Sequence, residues 1–294
     1  MIQALTLAVR SLSSVRAYST QYPMSGLYQP PLIGVKEADE ISSQDIVDLA
    51  TNKIGFLRIP HYVSQELSKG FCKKFFQHYR IQDYENAPGV GKASNLGMAL
   101  FECTGNAAEK KRAEYYEQAA RSMHAIRQLF NPHLSPLDKL RLEMECKWKH
   151  GASLLNLGEG RMFSGLIRCL NSDVLAHEDK LERDIPIPVG KINYLSQIAL
   201  NFYLEMPEIG GEVRRWHYSL EDESYDTLRG ASYGIVPERL DDRYDEVKPQ
   251  QGDLILFNPR FLHSIKASKG LGNRITLSSF ILYGGHDQPL QFWS

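Results

Sequence analysis

Near the middle of the chain, in "LAHEDKLERD", His177 and Asp179 flank Glu178 and set an imidazole and a carboxylate two residues apart. Alternate residues of an extended segment share a face. A His-x-Asp pair can therefore supply two of the three protein ligands of a mononuclear iron, the facial-triad arrangement that leaves other coordination positions open. Alone the tripeptide is weak, because nine His and 35 Asp plus Glu in 294 residues make about one His-x-acid expected by chance, and one is present. The third ligand must come from a distant strand. His263, 86 residues further on, lies at the end of "GDLILFNPRFLHSI". Eleven residues past it comes Arg274 in "NRITLSSF", where Arg274, Thr276 and Ser278 alternate and so point together. An inward Arg beside a hydroxyl is a directional, bidentate clamp for a carboxylate.

These residues need rigid elements to bring them together. The second half of the chain is rich in short β-prone runs divided by Gly, Pro and Asp: "FSGLIRCL", "SQIALNFYLEM", "GGEVRRWHYSL", "SYGIV", "GDLILFNP", "FLHSIKA" and "RITLSSFILYG". Strands at this spacing without alternating helices predict a sandwich or barrel. The first half is mostly helical. "SSQDIVDLATNK", "SQELSKGFCKKFFQHY", Asn106 to about Phe130 and "SPLDKLRLEMECKW" read as helices, the second and fourth with serine caps, and "IGFLRIPHYV" reads as a strand ended by Pro60. "NAPGVGKASNLG" reads as a loop over a pocket, and "KLERDIPIPVGK" as a loop rimming the site. No linker separates the halves. The expected organisation is one α+β domain, mainly β at its catalytic core: a double-stranded β-helix, or jelly roll, over residues 151–294, buttressed by a helical part over 21–150.

His-x-Asp, a distant His, Arg eleven residues beyond and a hydroxyl two further on resemble the iron(II)/2-oxoglutarate-dependent oxygenases. The resemblance implies that His177, Asp179 and His263 ligate Fe(II), and that Arg274 and Thr276 hold the far carboxylate of 2-oxoglutarate. Asn201, or Tyr203, in "ALNFYLEM" stands where a further cosubstrate contact is often found. Within the family, "LEMPEIGGEVRRW", "GDLILFNPRFLHSI" and "RITLSSFI" resemble stand-alone oxygenases of small-molecule biosynthesis. These include hydroxylases of amino-acid derivatives, halogenases and kainoid ring-closing enzymes. Halogenases vacate the carboxylate position for chloride, whereas this chain keeps Asp179. The implied reaction is O2-dependent oxidation of an unactivated C–H bond of a small, carboxylate-bearing metabolite, by hydroxylation or radical cyclisation, with ascorbate helpful in vitro. Two alternatives stay open: a peptide or protein hydroxylase of the same fold, and a catalytically inactive jelly-roll binding protein.

The rest of the chain narrows the partners. A net charge of −1 generates no field for nucleic acid or an anionic membrane, and no apolar run approaches a spanning helix. A small-molecule partner is expected. Cys72, Cys103, Cys146 and Cys169 are widely spaced, which fits reduced, buried thiols in an intracellular protein. Residues 1–20 carry Arg10, Arg16, four serines and no acid, so they read as a mitochondrial or plastid transit peptide or, failing that, the tail of a cytoplasmic protein. His217 and His286 read as a sheet and a loop histidine, and Glu178 as a solvated carboxylate turned from the metal. Arg214, Arg215 and Trp216 are candidates for an acidic substrate or a solvated strand end; Phe101 and Glu102 are candidates for the substrate mouth or the core.

Overall fold

The computed structural model describes residues 26–83, 92–94, 96–104, 107–184 and 194–294; the transit-peptide reading of residues 1–20 lies outside them. Along the chain come β1 (Gly26–Tyr28), β2 (Ile33–Glu37), α1 (Ser43–Ala50), β3 (Ile54–Ile59), α2 (Gln65–His78), β4 (Ile81–Asp83), β5 (Lys92–Ser94), α3 (Ala108–Phe130) and α4 (Pro136–Lys147). They lead into β6 (Ala152–Leu154), β7 (Leu166–Cys169), β8 (Val174–His177), α5 (Leu181–Asp184), β9 (Ser196–Glu205), β10 (Val213–Trp216), β11 (Tyr218–Leu220) and α6 (Asp222–Arg229). The last strands are β12 (Tyr244–Val247), β13 (Leu254–Phe257), β14 (His263–Ile265), β15 (Ile275–Tyr283) and β16 (Leu290–Trp293).

Local chemistry sets the helix starts. Ser42 and Asp45 form a reciprocal capping box on α1, Ser64 caps α2, and Ser135 caps α4 with Pro136 in its first turn. The strands form three sheets: the pair β1-β11 and two larger ones. The smaller of these two has the order β12-β10-β14-β8, and the larger runs β2-β3-β13-β9-β15-β7-β5-β4, with β16 also on β15. The four-strand segment β13-β9-β15-β7 and the smaller sheet line one cavity between them, which is the double-stranded β-helix. The helical half also adds strands: β3 pairs with β13, and β5 pairs with β7. Part of the stretch expected to be a loop is thus strand β5, while residues 86–91 lie outside the described residues. The "SYGIV" run forms a single bridge, Ala176 to Ile235, instead of a strand. Residues 185–191 of the expected rim loop are likewise undescribed, and Leu181–Asp184 is a short helix.

All nine residues of β15 are buried. One face looks into the cavity and the other is covered by helices. The covered face packs closely at Gly165 (φ +111°), where a Cβ would meet Leu137 of α4, Leu277 of β15 and Ile126 of α3 at 3.2–3.6 Å. A smaller cluster of Trp216, Tyr218, Leu220, Tyr225, Leu228 and Ile235 lies around β11 and α6. Among the described residues no helix is long and apolar enough to cross a membrane. The four cysteines are thiols outside any disulfide, but the expectation that they are buried holds only for Cys103 and Cys169; Cys146 sits exposed on α4 and Cys72 is half-buried.

Candidate metal and cosubstrate site

Antiparallel pairing of β8 with β14 sets His177 directly opposite His263. Directly opposed residues stand side by side on one face of a sheet, and the two imidazole centroids are 4.3 Å apart. Asp179 follows two residues after the end of β8, where its backbone N–H donates to the carbonyl of Pro259 (2.9 Å). Its carboxylate then lies 3.7 Å from His177 Nε2 and 3.5 Å from His263 Nε2. One ligand atom from each residue falls within 4.8 Å of the others, the one such group of three among the described residues.

The backbone also chooses the tautomers. His177 Nδ1 lies 2.8 Å from the carbonyl of Leu175, and His263 Nδ1 lies 3.1 Å from that of Phe261. A ring nitrogen facing a carbonyl carries the proton, so both Nε2 lone pairs face the shared point, as metal-binding histidines require. Burial, then the neighbouring His263, pulls His177 down to about 4, which keeps its ring neutral. Burial pushes the Asp179 carboxyl up, but the adjoining histidines and, beyond them, Arg168 outweigh this and hold it well below the usual carboxylate range. Two neutral imidazoles and one carboxylate suit a divalent first-row metal such as iron(II).

The other end of the cavity suits an anion. Arg274 is 1% exposed, and its Nη2 donates to Tyr203 Oη (3.2 Å). Among the described residues no partner meets its Nε and Nη1. An ionised group this deep with unmet donors is costly by itself, and a carboxylate arriving end-on could take Nη1 together with the second N–H of Nη2. Burial lowers the Arg274 pKa, and Tyr203 works against that. A bulge between Ile275 and Thr276 shifts the pairing with β9 beside this residue. Gly211 (φ +76°) packs on its stem; a Cβ there would lie 3.4 Å from Arg274 Cδ.

Asn201 lines the cavity and its Oδ1 accepts from Ser278 Oγ (2.7 Å). Thr276 is fully buried with its hydroxyl 3.0 Å from that of Ser278, and it is Ser278 that lines the cavity. Phe101 is in the wall and Glu102 is not. Arg215 is neither a substrate contact nor a solvated strand end: it is fully buried, bonded to Asn52 and the Asn258 carbonyl, with Phe261 beneath its guanidinium. Arg214 pairs with Glu246, and Trp216 is core. His217 meets Asp245, and His286 stacks on Trp148.

Glu178 contradicts its sequence reading. It is buried, accepts from the backbone N–H of Leu220 (2.7 Å) and pairs with Lys180 (2.6 Å) and Arg183 (3.1 Å). Arg183 continues to Asp222 at the start of α6 and lies over the Tyr225 ring. The middle residue of His-x-Asp therefore ties the metal turn to the wall formed by α6. Sequence reading passed over that wall: Tyr225 and Tyr233 both line the cavity, and Tyr233 Oη accepts from the backbone N–H of Leu175. Arg168 of β7 lines it too; the signal was a lone cation in the apolar run "GLIRCL". The whole cavity is about 270 Å³.

No family model matches the chain. It is 28% identical over 256 residues to the L-gamma-glutamyl-L-propargylglycine hydroxylase of Streptantibioticus cattleyicolor, covering 83% of this chain and 90% of that protein. It is 33% identical over 128 residues to the leucinostatins biosynthesis cluster protein S of Purpureocillium lilacinum, 41% of this chain and 51% of that one. In fold it is similar to an N-substituted L-amino acid dioxygenase of Burkholderia ambifaria solved with alpha-KG, with TM-score 0.59, 16% identity, and coverage of 86% of this chain and 91% of that chain.

Proposed function

We propose that this chain, an iron(II)/2-oxoglutarate-dependent oxygenase, hydroxylates an unactivated C–H bond of a small amino-acid derivative that bears a carboxylate. The observation that carries the reading is the pairing of ends in one cavity. Three metal-capable atoms converge at one end, and a buried guanidinium with two donors unmet among the described residues waits at the other. His177 and His263 would hold iron through Nε2 and Asp179 through a carboxylate oxygen, with Arg274 and Tyr203 receiving the far carboxylate of the cosubstrate. When bound, iron and 2-oxoglutarate would supply the oxidation, with one atom of O2 ending in succinate and the other in the hydroxylated product. The residues of the chain orient and shield. The carbonyls of Leu175 and Phe261 hold the imidazoles in the ligating tautomer. Leu100, Phe101, Val213 and Ile265 give the cavity an apolar wall that keeps water from the reacting carbon. The similarity to a hydroxylase of a γ-glutamyl amino acid supports both the substrate class and the outcome.

The test is turnover of L-γ-glutamyl-L-propargylglycine and other N-acylated amino acids with Fe(II), 2-oxoglutarate and ascorbate, following succinate and a product with one added oxygen. His177→Ala and His263→Ala should abolish succinate formation, and Asp179→Gly should keep some metal while losing hydroxylation. Full turnover by either His variant would overturn the ligand assignment. Wild-type protein that binds neither metal nor 2-oxoglutarate would overturn the oxygenase reading.

A further inference from the structure

We propose that Arg168 anchors the substrate's own carboxylate, and that the substrate is an N-acylated α-amino acid with an apolar side chain. This rests on the oxygenase reading above.

Arg168 lies on β7 opposite Thr276 of β15, and Thr276 lies opposite Tyr203 of β9. Cross-strand partners share a face, so Arg168 stands on the cavity side of the sheet in the same row as the Tyr203 that holds Arg274. It lines the cavity with the triad and with Arg274. Its Nε is buried, and among the described residues nothing meets it. Its charge acts on His177, Asp179 and Arg274 alike, so it serves the space between the two ends.

A guanidinium cannot shed its charge, so a positive group that faces a cavity with no ion-pair partner among the described residues is arranged for an anion that arrives from outside. The cosubstrate does not exhaust this demand. Its two carboxylates, with that of Asp179, offset iron(II) and Arg274, and the charge of Arg168 is left over. One further carboxylate neutralises it.

The same inventory decides the state of the substrate's nitrogen. The acidic side chains lining the cavity are Asp179 and Glu178. Asp179 faces the two imidazoles, and Glu178 is taken by Lys180, Arg183 and the Leu220 N–H. Among the described residues no lining carboxylate remains for an ammonium, and an unpaired buried ammonium is strongly unfavourable. An acylated, uncharged nitrogen meets the cavity at far lower cost. Leu100, Phe101, Leu170, Val174, Val213 and Ile265 provide the apolar surface for the side chain.

The test uses the full-length protein loaded with Fe(II) and 2-oxoglutarate without oxygen, and reads equilibrium binding by calorimetry. The probes are N-acetyl-L-leucine and L-γ-glutamyl-L-norvaline, compared with N-acetyl-L-leucinamide and L-leucine. Wild type should bind at least one of the N-acylated acids at least tenfold tighter than both comparison compounds. Arg168→Gln should remove that preference while leaving the 2-oxoglutarate constant within about twofold. Should Arg168→Gln fail to fold, Arg168→Lys keeps the charge without the bidentate fork and should weaken the preferred acid at least threefold. The inference is overturned if wild type does not discriminate acid from amide, if L-leucine binds as tightly as the acylated acids, or if the Lys variant binds unchanged. It is also overturned if the loss falls on 2-oxoglutarate, which would make Arg168 a cosubstrate contact. Arg168-dependent binding of the acids by protein that takes up no 2-oxoglutarate would keep the anchor and sink the oxygenase reading instead.

Discussion

Glu178→Ala separates a structural role for the middle of His-x-Asp from a solvated one. The carboxylate accepts one charge-assisted hydrogen bond from a buried backbone N–H, at 2.7 Å from Leu220. Losing such a bond costs about 1.5–3 kcal/mol. Lys180 and Arg183 lose their shared counter-charge as well. Breaking a fully buried pair costs about 3–5 kcal/mol, but the Lys180 and Arg183 side chains are 14% and 27% exposed and Arg183 keeps Asp222, so the added penalty is much smaller here. The expected total is about 2–4 kcal/mol, which lowers the melting temperature by roughly 4–8 °C in a chain of this size. Because Glu178 sits between two candidate ligands, the variant should also bind Co(II) or Mn(II) about 10–100-fold more weakly, as when an outer support of a metal site is removed. Glu178→Gln keeps the shape and an acceptor for Leu220, so it should lose only about 1 kcal/mol. Differential scanning calorimetry and metal titration read both effects. An Ala variant that melts within 1 °C of wild type and binds metal within twofold would refute the reasoning.

Arg274→Met should raise the 2-oxoglutarate dissociation constant at least tenfold, the loss of a buried charge pair being worth about 2–5 kcal/mol; without cosubstrate it should be no less stable than wild type, because it removes a buried charge with unmet donors. An unchanged constant would move the clamp elsewhere. Asp45 is pushed up by burial but held below the usual carboxylate range by Lys36 and Ser42. Its stabilising effect is therefore complete above the ordinary carboxylate pKa and is lost as pH falls through the lower folded value. Asp45→Asn should cost about 1 kcal/mol at pH 7 and progressively less below about pH 4, and urea midpoints across that range check it. Leu277→Ala should cost about 2–5 kcal/mol at the helix–sheet interface, with denaturant unfolding as the measurement; a loss under 1 kcal/mol would mean that this packing is looser than it looks.

Much of this protein was legible in the order of its residues. Helix starts depend on one serine and the next few amides, so Ser64 and Ser135 announced α2 and α4. The strands β9 and β15 showed as long β-prone runs, and the spacing of His177, Asp179, His263 and Arg274 marked the residues that the fold brings to one cavity. Tertiary structure decided what depends on a neighbour distant in sequence. The opposition of His177 and His263 is a register between strands 86 residues apart. The burial of Glu178 depends on Leu220 and Arg183, and that of Arg215 on Asn52, whose side chain lies 163 residues away along the chain. A charged residue reads as solvated unless its partner is known, and pairing between remote segments leaves no local pattern. For the same reason Arg168 was one cation in an apolar strand until the fold left it facing the cavity with an N–H group unmet among the described residues.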